Sequence, residues 1–278
     1  MRKKKNIKKR FHLLERQIRR NKSVFIVYLV LRLLVLVSLV MSFVRGEYEH
    51  AALCLLVLAL FLAPSFVQYN FGIELPSTLQ IIILCFIFAA EILGELQCYF
   101  IQFPNWDTLL HTTSGFLFAA VGYSLADIMN RSKRVNVKLS PLYLSLVAFC
   151  FSMTIGVLWE FFEFSVDRLF LMDMQKDTVI HTISSVMLDE TNSNIPVVVQ
   201  NIQDVQIAGE SLGLGGYLDI GLYDTMEDLF VNFVGALVFS MIGYISAKHN
   251  KKNSLIENLV PRVAEEAPEQ LGTQTDET

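Results

Sequence analysis

The sequence contains few cysteines, and their positions do not favour cysteine chemistry. All four, Cys54, Cys85, Cys98 and Cys150, lie in apolar stretches, and no two of them form a CxxC pair. Disulfide scaffolds and thiolate metal sites both carry regularly spaced or paired cysteines. The sequence therefore indicates neither of these.

Charge and the motifs of soluble enzymes are also scarce. Only 18% of the 278 residues are charged, whereas 53% are hydrophobic, and the mean hydropathy is +0.45. This composition is too apolar for an ordinary soluble domain. No Walker loop, HExxH pair or dinucleotide fingerprint is present. His111 and Ser114 lie one turn apart on a single predicted helix and lack the Gly-x-Ser-Gly pattern, so a membrane serine protease is not favoured.

The hydrophobic residues form six blocks, each about 20 residues long, which is the length of a helix that crosses a bilayer. We place them at Val24–Val44, His50–Gln68, Leu79–Phe100, Thr108–Met129, Leu142–Phe164 and Asp224–Ala247. A long connection, about residues 167–223, separates the last two blocks. The predicted fold class is all-α: a polytopic membrane protein with six transmembrane helices and a long outer loop between helices 5 and 6.

Positive charge is concentrated in three segments. Of the 23 Lys and Arg residues, 11 lie in residues 1–22, four in residues 131–138 and four from residue 248 onward. Six spans put these segments on one side of the membrane, and the positive-inside rule makes that side the cytoplasm. Both termini are then predicted to be cytoplasmic, and the 167–223 loop to lie on the outer face.

These assignments divide the chain into three parts. Residues 1–22 form a basic cytoplasmic arm suited to anionic lipid headgroups, and lipid is a better partner for this arm than nucleic acid. Residues 23–247 form the six-helix domain in the lipid bilayer. Residues 248–278 are polar and contain two prolines, so they are predicted to be a disordered cytoplasmic tail.

Acidic residues and one histidine collect in the outer halves of four predicted helices. Glu160 and Glu163 end a long apolar run, and their three-residue spacing puts both on one helical face. Three other helices carry similar pairs: Glu91 and Glu95, Asp107 and His111, Asp224 and Asp228. Ionisable groups at membrane depth are costly and usually face a protein interior or a wet cavity. We therefore expect these residues to line one pocket.

The charge of these residues is the main clue to their role. Several carboxylates beside one histidine need protons, water or cations to offset their charge. A divalent metal does this directly: carboxylate-rich sites favour Mg, Ca or Mn, and one His with two or three acids also permits Zn or Fe. A ferritin-like di-iron site is disfavoured, because it normally has two Glu-x-x-His units. Three alternatives stay open: a bound cation, a proton or ion pathway, and a structural polar network with water.

Three motifs occur along the second half of the chain: Trp106-Asp-x-x-x-His111, Trp159-Glu-x-x-Glu163 and Asp224-Thr-x-x-Asp228, the last followed by Asn232 and Gly235-Ala236. Together they resemble the YjdF-type family, a family of predicted multi-pass bacterial inner-membrane proteins of unknown function. The resemblance covers roughly residues 80–247. It implies a bacterial plasma-membrane location and supplies no reaction.

We interpret the chain as a membrane protein whose acid/His site opens to the outer face and binds a divalent cation. The leading hypothesis is a cation-binding membrane protein. One form of it is a metal-dependent enzyme acting on a lipid or envelope precursor, with Glu160 or Glu163 as the catalytic general base. The alternative is a transporter that uses the same carboxylates as a proton or cation relay. The predicted metal ligands are Glu91, Glu95, Asp107, His111, Glu160, Glu163, Asp224 and Asp228.

The metal hypothesis makes a geometric prediction. Carboxylate oxygens of Glu160 and Asp228 should lie within about 8 Å of a His111 ring nitrogen, since shared ligation or one bridging water requires that order of separation.

Labelling of single introduced cysteines with a membrane-impermeant reagent tests the predicted topology. Cysteines within residues 185–195 should react from outside, and cysteines within residues 132–138 only after permeabilisation, because Lys and Arg favour the cytoplasmic side. Labelling of residues 185–195 only after permeabilisation would place the loop in the cytoplasm instead.

Overall fold

Six helical segments in the described part of the chain are long and apolar enough to cross a membrane. This computed structural model describes residues 22–71, 73–131, 139–191, 193–249 and 254–263. The six segments are Lys22–Arg45, Tyr48–Asn70, Ser77–Leu96, Trp106–Asn130, Pro141–Phe170 and Leu222–His249. Each overlaps one predicted block, so the six-helix fold class is confirmed. The predicted basic arm lies outside the described residues, apart from Lys22.

The helices are α1 (Lys22–Arg45), α2 (Tyr48–Leu60), α3 (Ala63–Phe71), α4 (Ser77–Ile87), α5 (Tyr99–Gln102), α6 (Trp106–Arg131), α7 (Pro141–Phe170), α8 (Leu222–His249) and α9 (Ser254–Leu259). Pro64 lies in the first turn of α3, where a missing N–H is tolerated, and this explains the break after α2. α4 continues into a π-helix, Phe88–Leu96. α7 starts at Pro141, and the Ser140 hydroxyl accepts the Tyr143 N–H as an N-cap.

The long helices pack as two groups. α1, α2, α4 and the π-helix share one core, made of Val35, Cys54, Val57, Phe61, Leu84 and Ile92. α6, α7 and α8 form a three-helix bundle around a second core that includes Ala119, Ala120, Tyr123, Ala148, Ala236 and Phe239. Large apolar side chains such as Leu33, Leu146 and Met241 are exposed on the outward faces. Such faces suit contact with lipid chains.

Close contact within the bundle depends on glycine. A Cβ on Gly235 of α8 would lie 2.1 Å from the backbone oxygen of Thr112 in α6. A Cβ on Gly115 of α6 would lie 2.3 Å from the backbone oxygen of Asn232 in α8. Ser152 of α7 donates a hydrogen bond to the backbone oxygen of Gly115 at 2.7 Å. Small residues therefore let the three helix backbones approach, which is the usual way in which membrane helices associate.

The connection between α7 and α8 contains short antiparallel strand pairs. β2 (Thr178–Ile180) pairs with β7 (Tyr217–Asp219), β3 (Thr182–Ser185) with β4 (Val197–Gln200), and β5 (Gln206–Ile207) with β6 (Glu210–Ser211). A 3₁₀ turn, Val186–Leu188, follows β3. Pairing of β2 with β7 joins the two ends of the connection, so both lie beside the start of α8.

Within residues 248–278, the predicted disordered tail, the structure describes a helix and a strand between residues 254 and 263. Beyond α9, strand β8 (Arg262–Val263) pairs with β1 (Ile73–Glu74), which precedes α4. Leu259 and Val260 are buried against the core of the three-helix bundle. The Ser124 hydroxyl donates a hydrogen bond to a backbone oxygen of this segment at 2.8 Å. The two apolar residues gain burial here, which offsets part of the entropy lost on ordering a polar segment.

Candidate cation site in the three-helix bundle

The acid/His residues of α6, α7 and α8 meet at one end of the bundle, where α6 and α8 begin and α7 ends. Two sets of side chains each bring their ligand atoms within 4.8 Å of one another. We call the first set, His111, Glu160, Glu163 and Asp228, the deep group. We call the second set, Asp107, Asp224 and Asp228, the shallow group. Asp228 belongs to both.

His111 lies between acids from all three helices. Its Nε2 is 3.5 Å from Asp107 Oδ1 and 3.7 Å from Asp228 Oδ2. Its Nδ1 is 3.9 Å from Glu160 Oε1. The predicted proximity of Glu160 and Asp228 to a His111 nitrogen is therefore confirmed. These separations are long for hydrogen bonds. The separations do suit ligands of one cation. Two ligand atoms that are each about 2.0–2.4 Å from an ion lie about 3–4 Å from each other.

The carboxyl groups of the deep group are removed from solvent. Glu160, Glu163 and Asp228 are 4%, 7% and 3% exposed. Within the described part of the chain, Glu160 Oε2 and Asp228 Oδ2 have no hydrogen-bond partner. A buried polar atom without a partner costs about 1–3 kcal/mol, and more when it is charged. A proton, a water molecule or a cation must therefore offset this cost.

The basic side chains of the described residues form no ion pair with the carboxylates of either group, although the positive charge of Lys176 acts on Asp107 and Asp224. The Lys176 ammonium group binds the Asp173 backbone oxygen and lies 3.9 Å from Asp173 Oδ2. Arg168 lies over the Phe164 ring, 5.4 Å from its centroid. Five carboxyl groups thus share one imidazole: Asp107, Glu160, Glu163, Asp224 and Asp228.

The site is open on one side and closed on the other. The side chains of Asp107 and His111 keep 26% and 13% exposure, against 5% for Glu160 and 4% for Asp228. On the opposite side Asn232, which is 2% exposed, fills the space between the helices. Further along α8, Phe239 packs edge-on against Phe116 with ring centroids 5.1 Å apart. Asp107 and His111 therefore lie on the side of the cluster nearer to solvent, and Asn232 lies on its buried side.

A short segment of the α7–α8 connection lies over the site. We call this segment, Met174–Lys176, the strap. The Asp167 carboxylate at the end of α7 accepts the N–H groups of Met174 and Gln175 at 2.6 and 2.9 Å. The Asp224 carboxylate at the start of α8 accepts the Lys176 N–H at 2.8 Å. The strap is therefore fixed at both ends by acids of the bundle.

Gln175 is the strap residue that enters the site. It is 8% exposed, and its side-chain amide donates a hydrogen bond to Thr225 Oγ1 at 2.5 Å. It also approaches the Glu160 carboxyl group. Sequence reasoning missed Gln175, because the contact joins residues 50 positions apart and the loop has no periodic pattern. Asp167 and Asp224, the acids that hold the strap, are the sequence features that could have indicated that a loop segment lies over the site.

Glu91 and Glu95 lie apart from the cluster. Both are on the π-helix, which packs against α2, and neither belongs to the deep or the shallow group. Glu95 is exposed and Glu91 is half-buried. The prediction assumed α-helical spacing, whereas i→i+5 pairing in a π-helix changes the direction in which successive side chains point. Six of the eight predicted ligands are thus brought together, and these two are not.

Comparisons with known proteins identify one family. A family model described as Predicted membrane protein (DUF2238) matches residues 26–249. This range includes both ligand groups and the strap, and it is consistent with the YjdF-type resemblance of the sequence motifs. No curated protein and no solved structure matches the chain.

Hydrogen exchange tests the attachment of the strap. Asp167→Ala removes the acceptor of two strap amides, and a lost hydrogen bond to a charged group corresponds to about 1.5–3 kcal/mol. Exchange at Met174 and Gln175 should therefore become about tenfold faster or more, while amides in the middle of α8 stay protected. Asp173→Ala is the control, since the Asp173 carboxylate pairs with the Lys176 ammonium group and, among the described residues, accepts no strap amide. Unchanged exchange in Asp167→Ala would contradict the assignment.

Proposed function

This chain belongs to the DUF2238 family of predicted membrane proteins, and we propose that it is a divalent-cation-binding enzyme of the membrane surface. The deep group holds the cation, and the substrate is a lipid or a lipid-linked envelope precursor that is hydrolysed. The observation that carries the proposal is the pair of buried oxygens without partners, Glu160 Oε2 and Asp228 Oδ2.

The donor set favours a cation over the other ways to offset the charge. A proton would neutralise one carboxyl group and give it a hydrogen bond to one neighbouring acceptor. A cation supplies the opposite charge and a partner for both oxygens at once. The His111 imidazole with the Glu160 and Asp228 carboxylates suits Mn, Fe or Zn, and the carboxylates also suit Mg.

A bound divalent cation would supply two functions to a hydrolytic reaction: it lowers the pKa of a coordinated water, and it polarises the bond that is attacked. Glu160 carries one of the oxygens without a partner, so we assign it as a ligand. Glu163 lies one turn closer to the end of α7 and to the approach of a substrate. We therefore assign Glu163 as the general base that takes a proton from the attacking water.

The surroundings of the site support a substrate with lipid character. Trp159 and Leu109 lie at the same end of the bundle and are 44% and 55% exposed. Their side chains offer an apolar surface beside the approach to the site. The segregation of Lys and Arg along the sequence supports an outer-face location.

The packing on the buried side of the cluster supports an enzyme over a transporter. A proton or cation relay needs a polar route that continues through the bundle to the opposite face. Asn232 and the Phe116–Phe239 contact occupy that direction. An enzyme needs only fixed ligands and one entrance.

Thermal unfolding with and without Mn²⁺ separates a cation site from a purely structural cluster. Wild-type protein in detergent should unfold at a higher temperature with Mn²⁺, because a ligand that binds only the folded state stabilises it. Glu160→Gln keeps the size of the side chain and removes its charge. It should weaken Mn²⁺ binding roughly 10- to 100-fold, the usual cost of disturbing a metal's ligand surroundings.

The matched control is Glu227→Gln, which removes the same charge from an exposed residue of α8. This variant should respond to Mn²⁺ like the wild type. If the carboxyl groups form only a strained polar network, Glu160→Gln should instead be more stable than the wild type and neither protein should respond to Mn²⁺. That result would contradict the proposed function.

A further inference from the structure

We infer that the cluster holds two divalent cations, one in the deep group and one in the shallow group, with Asp228 as the bridging ligand. This inference rests on the proposed function, because it adds a second ion beside the proposed cation of the deep group. It assigns the shallow group as a binding site in its own right.

The position of Asp228 is the geometric basis. It is the residue common to both ligand groups, and a carboxylate has two oxygens, so it can bind one cation through each. Asp228 is 3% exposed, and its Oδ2 has no hydrogen-bond partner among the described residues. That oxygen lies 3.7 Å from His111 Nε2, on the deep side. Carboxylates hold paired cations about 3.5–4 Å apart in two-metal sites.

Besides Asp228, the shallow group contains two acids that offer a carboxylate oxygen to a cation, Asp107 and Asp224. Asp107 and Asp228 bring carboxylate oxygens within 4.8 Å of each other. Two bare carboxylates repel each other at such a distance unless a proton or a cation lies between them. Asp224 uses Oδ2 to accept the Lys176 N–H of the strap, which leaves its other oxygen for a cation.

Two cations would offset the charge of the whole cluster more completely than one. With five ionised carboxylates, one divalent cation leaves a net charge of −3, whereas two leave −1. Burying three uncompensated charges costs several kcal/mol per ion. No Lys or Arg of the described ranges forms an ion pair with these carboxylates that could replace the second cation.

The two sites should differ in affinity. Asp107 keeps 26% side-chain exposure, against 5% for Glu160, so the shallow cation is closer to water. We expect the deep site to fill first and the shallow cation to exchange faster.

Mn²⁺ binding to the full-length protein in detergent tests the inference. Equilibrium dialysis measures the number of bound ions, and electron paramagnetic resonance shows whether they are coupled. Wild-type protein should bind two Mn²⁺ per chain. The spectrum of a single uncoupled Mn²⁺ should appear first, and a spin-coupled spectrum should replace it above one equivalent. Two Mn²⁺ ions about 4 Å apart are coupled through a shared carboxylate.

Three variants locate the ions. Asp107→Asn should bind one Mn²⁺ and give no coupled spectrum, because only the shallow group loses a ligand. Asp228→Asn should weaken both binding events by about tenfold or more. Glu227→Gln, with the same loss of charge on α8 outside both groups, should keep two Mn²⁺.

The outcomes separate this inference from the proposed function. One Mn²⁺ per wild-type chain, with an uncoupled spectrum at every loading, would overturn the two-cation inference and leave the single cation of the deep group. No bound Mn²⁺ in the wild type would overturn both. The wild-type spectrum distinguishes one bound Mn²⁺ from two even if a variant fails to fold.

Discussion

The structure depends on one electrostatic constraint: acids on three helices are buried together in a bundle with apolar outer surfaces, and basic partners are absent from their contacts in the described residues. Removing ionised groups from water is among the largest costs in protein energetics. The cluster therefore exists only if its charge is offset from within. We propose that a divalent cation bound by Glu160 and Asp228 meets this requirement, since it would supply a partner for the two oxygens that have none among the described residues.

The rest of the bundle can be understood as holding this cluster in place. Gly115 and Gly235 let α6 and α8 approach until backbone atoms touch, which brings His111 and Asp228 to opposite sides of one small space. The strap closes the end of that space through hydrogen bonds to bundle acids. Asp224 belongs both to these contacts and to the shallow group, so the cover and the candidate metal ligands share a residue.

Much of this arrangement could be predicted from the sequence because it depends on local periodicity. Helical spacing placed Glu160 with Glu163, and the common polarity of the helix ends predicted that His111 and Asp228 would meet them. The Ile- and Val-containing run 195–199 has the composition of a strand, and β4 (Val197–Gln200) overlaps it. The remaining features depend on long-range contacts or non-standard geometry. Gln175 reaches the site across a loop, α9 is ordered by burial of Leu259 and Val260, and a π-helix reorients Glu91 and Glu95.

The most direct test of the central claim is the metal content of the protein purified in detergent from native membranes, without chelators or added metal, measured by elemental analysis. If the three-helix bundle binds a divalent cation, the wild type should contain at least one equivalent of a divalent transition metal or Mg²⁺ per chain. Asp228→Asn should lose most of that metal. Wild-type protein that is folded and monodisperse, contains no metal and takes up none on addition would contradict the account.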